Sequence, residues 1–467
     1  MSVISAEGRS QPRSRGRNEG TNRARARLTA VVVMIAAAGL AAWGPLATTG
    51  PGDPAELYAE TFDAHWEALR DNYPYFELYE VDWEAERAEH RPHAVAAAND
   101  DEFAWELARL ISALPDPHVS FIPSMDTIMG RWSVPDLETH MVGRRAYVMD
   151  WGEGSGIDAP PAFADDPRAY PEIIAVQDFP LGGAAEMLAG GPLGSSFSIR
   201  LRWPDGSETD HVLKRPEETN LPPPSKHYGE RWIVTGRVGN IGYLRVKSFD
   251  PGMGTLGPDG KMTTMLRAAL AELDDTDGLI LDLQANGGGM VAASDPFLGN
   301  FLTRSLSYRW GNSGGKTRVI RPRKPRYTGE VVALVDQRSA SGGEWAARIL
   351  RDAGRATVVG GRTAGAEAAV HKSKGPDGSM VNYSAWPMIE AGRTPFQETG
   401  IELDHALPLT IEDVRAHGYD EALARVRRAR FAKALEVLDA PPDDLDAFVT
   451  LADDADRVDE DVVTKTR

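Results

Sequence analysis

Residues 331–365 constrain the fold of this chain most, because three different patterns follow one another there. The run VVALVD is apolar and of strand length. The letters SASGGE then change the period, and Trp345 and Ile349 are spaced for one face of a helix. A second strand is predicted over residues 355–359. A strand, a helix and a strand in this order indicate a βαβ crossover and a layered α/β core.

Ser341 lies at the predicted turn between the strand and the helix. A serine there can project its hydroxyl into a cleft, beside backbone N–H groups that no helical carbonyl satisfies. Ser341 and Glu344 also form the S-x-x-E pattern of a capping box, in which both residues merely satisfy each other's backbone donors. The turn by itself therefore leaves both a nucleophile and a helix cap open.

Residues 278–290, GLILDLQANGGGM, form an apolar strand-length run followed by three consecutive glycines. Such a loop can turn its amides towards an anion because no side chain obstructs the approach. An oxyanion hole needs two such donors. Gly287 or Gly288, together with Gly342, can supply them.

These two stretches resemble the serine peptidase family of C-terminal processing (tail-specific) proteases and the tricorn core protease. In that family the strand–NGGG loop carries an oxyanion amide, and the second serine of a Ser-Ala-Ser turn is the nucleophile. The matching residues are 286–289 and Ser341. The resemblance implies a layered βαβ catalytic core of the tail-specific protease or crotonase-like type, and it extends from about residue 55 to about residue 411.

A histidine follows the helix that is predicted after the cap at Asn99. Leu114, Asp116 and His118 resemble the L-x-D-x-H segment that delivers the catalytic histidine in tricorn-type members. A serine precedes that histidine in the tricorn core enzyme, whereas Pro117 precedes it here, so the orienting partner of His118 stays open.

The segment from Phe396 to Leu409 resembles the terminal E-x-x-G-I-x-P-D segment of the family. Glu398, Gly400 and Asp404 match it, while Leu403 replaces the usual proline. The resemblance implies that Glu398 belongs to the catalytic network, although an exposed loop glutamate is the commoner role for such a residue.

A serine needs a general base within hydrogen-bond reach. The C-terminal processing branch uses the lysine of a T-x-G-K-G pattern, and Ala366 stands at that position here. Lys372 is expected on a solvated loop, so the missing lysine favours the tricorn-type arrangement with His118 as the base. His371 and Lys372 are the reserve candidates.

The fold class is α/β in an α+β multidomain arrangement, with a helical N-terminal region and a PDZ-like β-rich insertion. The predicted segments are a basic N-region over 1–27, a signal peptide or membrane anchor over 28–47, an N-terminal helical region over 53–124, a PDZ-like or β-rich insertion over 125–216, a serine peptidase catalytic core over 231–411, and a C-terminal helix and acidic tail over 412–467.

Finer patterns are predicted within several of these segments. In the insertion we expect a strand, a short helix over 184–188, and two strands joined at residues 204–206. Residues 238–249 are expected to form the first core strand. Residues 412–438 have helical spacing, and residues 443–467 are expected to be a solvated tail or a loosely docked helix.

The composition argues against several functional classes, and the N-terminal sequence predicts the compartment. The formal net charge of −18 argues against nucleic acid and against polybasic membrane adsorption. With no cysteine there is neither a disulfide nor a thiolate, and the scattered histidines predict neither a metal nor a cofactor. Seven arginines in residues 1–27 precede an apolar run over 28–42, which predicts export, with the membrane contacted only through this segment.

The expected function is an exported serine-type peptidase that cleaves protein or peptide substrates through an acyl-enzyme on Ser341. A PDZ-like groove would bind an extended peptide, in some cases by its carboxyl end. The alternative is an inactive relative that binds peptides or small ligands. An esterase fits less well because the G-x-S-x-G elbow is absent, and the glycine loop lacks the following Lys-Ser/Thr of a P-loop.

Overall fold

The computed structural model describes residues 53–124, 131–135, 137–151, 160–180, 190–219, 233–249, 261–311, 316–389 and 395–464. The signal peptide or membrane anchor predicted over 28–47 and the short helix predicted over 184–188 lie outside these residues.

Three helices and a short strand form the N-terminal region. They are α1 (Pro54–Asn72), α2 (Trp83–Val95), α3 (Asp100–Ser112) and β1 (Ser120–Ile122). Asp53 and Asn99 cap α1 and α3 by accepting hydrogen bonds from backbone N–H groups. Phe62, Leu69 and Leu107 are buried in one core, because the apolar residues recur at helical spacing. The helix predicted after Asn99 is thereby confirmed.

The insertion is built on an antiparallel sheet of five main strands. Its elements are β2 (Trp132–Ser133), β3 (Leu137–Val142), β4 (Arg145–Trp151), α4 (Pro161–Asp165), β5 (Glu172–Val176), β6 (Phe179–Pro180), β7 (Gly191–Pro192), β8 (Ser196–Arg202) and β9 (Glu208–Lys214). The strand order is β3-β4-β5-β8-β9, and β6 also pairs with β5. The predicted turn at residues 204–206 joins β8 to β9.

The remaining elements form the core and the C-terminal helices. They are β10 (Ile233–Val238), β11 (Ile241–Val246), α5 (Lys261–Glu272), β12 (Gly278–Asp282), α6 (Val291–Gly299), β13 (Leu306–Trp310), β14 (Lys316–Ile320), β15 (Glu330–Val335), α7 (Gly342–Asp352), β16 (Thr357–Gly360), β17 (Ala369–Lys374), β18 (Met380–Trp386), β19 (Met388–Ile389), β20 (His405–Ala406), α8 (Ile411–His417), α9 (Tyr419–Val437) and α10 (Leu445–Thr464).

A six-stranded sheet is the centre of this core, in the order β10-β11-β12-β15-β16-β20. All neighbouring strands are parallel except β10 and β11. Leu279 and Leu281 pack against α5, α6 and α7, whereas Ile280 packs against α9 and α10 on the opposite face. A parallel sheet covered on both faces requires such continuously apolar strands. The layered α/β architecture is confirmed.

Two small sheets flank the central one, with the orders β1-β18-β17 and β14-β13-β19. In the first, β1 of the N-terminal region pairs with β18 of the core, with Ser120 opposite Asn382. The Asn382 side-chain amide also donates to the Ser120 hydroxyl at 3.0 Å. This pairing joins the segment that bears His118 to the catalytic core.

Two sequence expectations are met only in part. A strand lies within residues 238–249, as β11, but it is not the first of the core, because β10 precedes it and the chain turns at Gly239 (φ +56°) between them. Of the two alternatives for the acidic C-terminal segment, the structure shows a docked helix, α10, rather than a solvated tail. Phe448, Ala452 and Ala455 of α10 are buried, because they share one helical face among the aspartates.

Candidate active site

Ser341 ends the turn between β15 and α7 with φ 50° and ψ −119°. This backbone conformation is uncommon for a residue with a side chain and is typical of strained functional positions. The turn is held from within, since the Ser339 hydroxyl accepts from the Asp336 N–H at 3.0 Å and donates to the Leu283 carbonyl at 2.8 Å. Ser339 thus holds the turn both locally, through Asp336, and across the sheet, through Leu283.

Glu344 clamps the same turn from the first turn of α7. Its buried carboxylate accepts hydrogen bonds from the backbone N–H groups of Ser341 at 2.9 Å, Gly365 at 2.7 Å and Ala366 at 2.9 Å. Burial raises the pKa of Glu344 to about 7, against the opposing effect of these donors. The capping-box contact from Glu344 to Ser341 is thus present, and it orients the serine backbone.

The glycine loop lies directly against this turn. Gly288 has φ +94°, and a Cβ atom there would fall 2.6 Å from the Gly342 nitrogen and 2.7 Å from the Ser341 Cβ. Asn286 ties the two segments together, because its carbonyl accepts from the Ala340 N–H at 2.9 Å. Only a residue without a side chain fits at Gly288.

The amides of this loop differ in availability. The Gly288 N–H already donates to the Asn286 side-chain oxygen at 2.8 Å. Across the described part of the chain, the N–H groups of Gly287, Gly289 and Gly342 have no hydrogen-bond partner. Of the amides named from the sequence, Gly287 and Gly342 are therefore free to bind an anion.

Buried charges support the glycine loop from below. Asp336 accepts a hydrogen bond from the Ala285 N–H at 2.8 Å and pairs with Arg338 at 3.0 Å. Arg430 of α9 donates to the Gln284 side chain at 2.9 Å. The guanidinium of Arg338 helps to hold the pKa of Asp336 below its ordinary value despite burial.

His118 follows α3, and its loop is organised by Asp116. The buried Asp116 carboxylate accepts from the His118 backbone N–H at 2.8 Å and from the Tyr73 hydroxyl at 3.1 Å. The ring Nδ1 of His118 is buried and has no hydrogen-bond partner among the described residues. Burial lowers the pKa of His118, which keeps the imidazole neutral and able to accept a proton.

Glu398 lies in a left-handed conformation (φ 66°), where three regions of the chain meet. The Tyr79 hydroxyl donates to its carboxylate at 2.6 Å, and Arg144 from the β3–β4 turn forms an ion pair with it. The Glu398 N–H donates to the Gly365 carbonyl at 3.0 Å. Gly365 therefore connects Glu398 to Glu344, and through it to Ser341.

His118 approaches this network through the Asp116 carboxylate. Burial raises the pKa of Tyr79, and the charge of Asp116 adds to that rise. His118 and Ser341 share no hydrogen bond in the described residues. Catalytic hydrogen bonds are commonly long in unliganded enzymes and tighten when substrate binds.

The two reserve candidates for the base lie on a strand of the core. His371 and Lys372 belong to β17, which pairs with β18, so the solvated loop expected for Lys372 is wrong. Both residues are exposed, and the His371 ring packs edge-on against Trp386 with 5.2 Å between ring centroids. Ala366, at the position of the family lysine, contributes only its N–H to Glu344.

Sequence reasoning missed the role of the tyrosines after α1. The hydroxyls of Tyr73 and Tyr79 reach Asp116 and Glu398, and the sequence analysis predicts neither contact. The Tyr75 hydroxyl is buried without a partner in the described chain. Three tyrosines within seven residues were the available signal, because a buried hydroxyl normally needs a polar partner.

Comparison with known proteins identifies the core. The profile described as peptidase family S41 matches residues 240–407, and the tricorn protease C1 domain matches residues 54–111. Residues 240–407 form a domain of peptidase family S41. The resemblance stated from the serine turn and the NGGG loop is confirmed.

Two relatives of this chain are named as proteases. The chain is 24% identical to the carboxy-terminal processing protease CtpB of Bacillus subtilis over 306 residues, which are 63% of this chain and 60% of that protein. It is 24% identical to tricorn protease homolog 1 of Streptomyces coelicolor over 422 residues, which are 84% of this chain and 36% of that protein. The chain thus spans between about one third and three fifths of these relatives.

Solved structures support the fold. Mature CPAF is 14% identical, with a TM-score of 0.52 over 80% of this chain and 96% of that chain. Mature CPAF complexed with lactacystin gives a TM-score of 0.53 at 14% identity, over 82% of this chain and 99% of that chain. The architecture around the S41 domain is therefore shared almost over the full length of CPAF.

The described residues contain neither a metal-ligand cluster nor a membrane-spanning helix. They contain no group of three or more potential metal-ligating His, Asp or Glu side chains. No helix among them is long and apolar enough to cross a membrane.

Proposed function

We propose that this protein is a serine-type peptidase that hydrolyses peptide bonds of protein or peptide substrates through an acyl-enzyme on Ser341. The observation that carries the proposal is the strained Ser341 backbone, clamped by Glu344 and packed against a glycine loop with free amides. A purely structural helix cap needs neither the left-handed conformation nor a glycine loop beside it.

In this mechanism the base is His118, which takes the proton of Ser341 as the hydroxyl attacks the scissile carbonyl. The neutral state favoured by burial of His118 suits that role. The N–H of Gly342 and that of Gly287 hold the oxyanion, because the Gly288 N–H is engaged with Asn286. One such donor is typically worth about 3–4 kcal/mol in the transition state.

The later steps follow from the same residues. His118 returns the proton to the leaving amine, and water then hydrolyses the acyl-enzyme. Glu398 holds Tyr79 beside Asp116, so its role is to keep the histidine loop in place rather than to touch substrate. The reserve bases His371 and Lys372 are not needed.

The decisive experiment compares wild type with Ser341→Ala on an unstructured protein substrate. The variant should keep the fold and Tm and lose at least about 10³-fold in kcat/KM. A fluorophosphonate and lactacystin, which was bound in the CPAF crystal, should label wild type only. Ser207→Ala, in the exposed turn between β8 and β9, is the control. A wild type that neither cleaves nor reacts would instead be the inactive ligand-binding relative.

The proposal also covers how the substrate is recognised and in which compartment the protein acts. The name of CtpB describes carboxy-terminal processing, and the PDZ-like insertion offers a sheet for an extended peptide. A substrate with an amidated C-terminus should therefore be cleaved more slowly than its free-acid form. Export of the chain through residues 28–47 is checked by cell fractionation and by N-terminal sequencing of the mature protein.

A further inference from the structure

An unusual charge run lies in the core at residues 304–311 and 316–326, together named the basic hairpin. It contains eight lysines and arginines and no aspartate or glutamate, in a chain of formal net charge −18. The run covers β13, β14 and the following arm RPRKPR. Its local sign is thus opposite to that of the protein as a whole.

Most of these cations point to solvent and are unpaired. The exposed members are Arg304, Arg309, Arg321, Arg323, Lys324 and Arg326. None of these six side chains has a hydrogen bond or ion pair with another residue in the described ranges. Arg318 differs, because its guanidinium turns inward to Asp295 at 2.6 Å.

The hairpin also presents an open strand. Tyr308 and Ile320 are buried on its inner face, whereas Arg309 and Val319 are exposed on its outer face. β14 is an edge strand, since it pairs only with β13 among the described strands. An edge strand can bind an extended chain through its backbone, and flanking cations then select that chain by charge.

The position of the hairpin relates it to the candidate active site. Helix α6 begins two residues after Gly289 of the glycine loop, and it packs against α7, which starts at Gly342. Asp295 of α6 accepts from the Tyr308 hydroxyl at 2.8 Å, and the Gly299 carbonyl accepts from the Arg323 N–H at 2.7 Å. The basic hairpin therefore contacts α6, the helix that follows the proposed oxyanion loop.

We propose that the basic hairpin is a docking surface for an acidic, extended segment of the polypeptide substrate. This inference rests on the proposed peptidase function and adds a substrate class to it. Five of the six unpaired cations are arginines, whose planar groups bind carboxylates in a bidentate manner. A narrow polypeptide can contact the hairpin alone, whereas a broad anionic bilayer would also face the acidic remainder of the protein.

The test uses two synthetic unstructured polypeptides that share one cleavable segment. One has flanks rich in Asp and Glu, and the other has flanks rich in Lys. The variant Arg309→Gln/Arg321→Gln/Arg326→Gln is compared with the control Arg70→Gln/Arg267→Gln/Arg425→Gln, which removes three charges at positions away from the hairpin. Binding is measured by fluorescence anisotropy with Ser341→Ala in each background, and cleavage is measured with Ser341 intact.

We expect the hairpin variant to bind the acidic polypeptide about tenfold more weakly than wild type at about 0.05 M salt, and the control variant to differ by less than about twofold. The difference should shrink at about 0.5 M salt, and the KM for cleavage should follow the binding constant. Equal binding of both polypeptides, or equal losses in the two variants, would overturn the proposal. Preferential binding to phosphatidylglycerol vesicles, lost in the hairpin variant without a change for the polypeptide, would also overturn it.

The binding arm separates this inference from the peptidase proposal. If wild type cleaves both polypeptides without preference and binding is equal, the docking inference fails alone. If wild type cleaves neither polypeptide but binds the acidic one through the hairpin, the peptidase proposal fails and the docking surface stands.

Discussion

The serine turn and the histidine loop are held in place in very different ways. The Ser341 N–H donates to the Glu344 carboxylate, Gly288 packs closely against Ser341, and the Ser339 hydroxyl ties the turn to the end of the neighbouring strand. The loop of His118 depends mainly on one carboxylate, that of Asp116, and the ring Nδ1 has no partner in the described residues.

Substitutions in the two halves of the proposed site should therefore affect activity and stability differently. A change in the residues that hold the serine turn, Glu344 or Gly288, disturbs its hydrogen bonds or packing, so activity and stability should fall together. A change of the His118 ring removes no hydrogen bond from the described structure, so it should affect activity alone. The following substitutions test that contrast, beginning with the largest expected effect on catalysis.

Replacement of the proposed base is expected to have the largest effect. His118→Ala should lower kcat/KM by about 10³-fold, because general-base catalysis contributes about 10²–10⁴-fold. Tm should be unchanged or slightly higher, since a buried unpaired nitrogen is removed. Lys372→Ala is the control and should stay active. An inactive Lys372→Ala beside an active His118→Ala would transfer the base to β17.

The pH dependence of kcat/KM in the wild type tests whether His118 or a lysine is the base. A neutral His118 must act as the base, and burial lowers its pKa below the ordinary 6.5. The kcat/KM should therefore be maintained at pH 6.5 and fall only as the pH decreases further. A lysine base would instead give an acid limb at neutral or alkaline pH, and pH–rate profiles discriminate between the two.

Gly288→Ala is expected to damage both activity and stability. The new Cβ would meet the backbone of Gly342 and Ala340 at 2.6 and 2.8 Å, so the loop or the serine turn must move. We expect a loss of about 10²-fold in kcat/KM and about 2–3 kcal/mol in the free energy of unfolding.

Gly206→Ala is the matched control for backbone conformation. Gly206 also has a positive φ of +86°, but nothing lies within 4 Å of its Cβ position. Urea unfolding should show a loss of only about 1–2 kcal/mol, and activity should persist. Similar values of kcat/KM for Gly288→Ala and Gly206→Ala would show that the glycine loop does not take part in catalysis.

Glu344→Gln tests the clamp on the serine turn. A carboxamide has one oxygen, so it cannot accept all the hydrogen bonds now donated by Ser341, Gly365 and Ala366. We expect a loss of about 1–3 kcal/mol in stability and about 30-fold in kcat. Glu367→Gln is the control, because Glu367 is also buried with a pKa raised to about 7 and does not contact the turn.

The smallest effect is expected at Glu398. Glu398→Gln keeps an oxygen for the Tyr79 hydroxyl but removes the ion pair with Arg144. Kcat/KM should fall by about fivefold with less than about 1 kcal/mol of destabilisation, because both side chains of the pair are partly exposed. A loss as large as that of His118→Ala would place Glu398 in direct contact with the reacting groups.

Much of the core was predictable because its signals are local. The strand, the turn at Ser341 and the helix follow from periodicity over neighbouring residues, and the glycine run marks a loop that backbone atoms approach closely. The role of Glu344 was only half visible, since the capping box predicts its bond to Ser341 but not those to Gly365 and Ala366.

Other features were invisible for physical reasons. The net charge averages over the whole chain, and only the structure shows that six cations of the basic hairpin are exposed and, among the described residues, unpaired. The aspartates of α10 suggested a solvated tail, although Phe448 and Ala452 bury one face of that helix. Lys372 had no local mark of its strand, because β17 forms only by pairing with β18.

The sequence alone determined the type of chemistry and the order of the core elements, since these depend on residue types and spacings a few positions apart. Only the tertiary structure decided which amides remain free and that Tyr79 meets Glu398 across 319 residues of chain. Those contacts arise from packing between regions, and no local pattern encodes the direction in which a buried donor finally points.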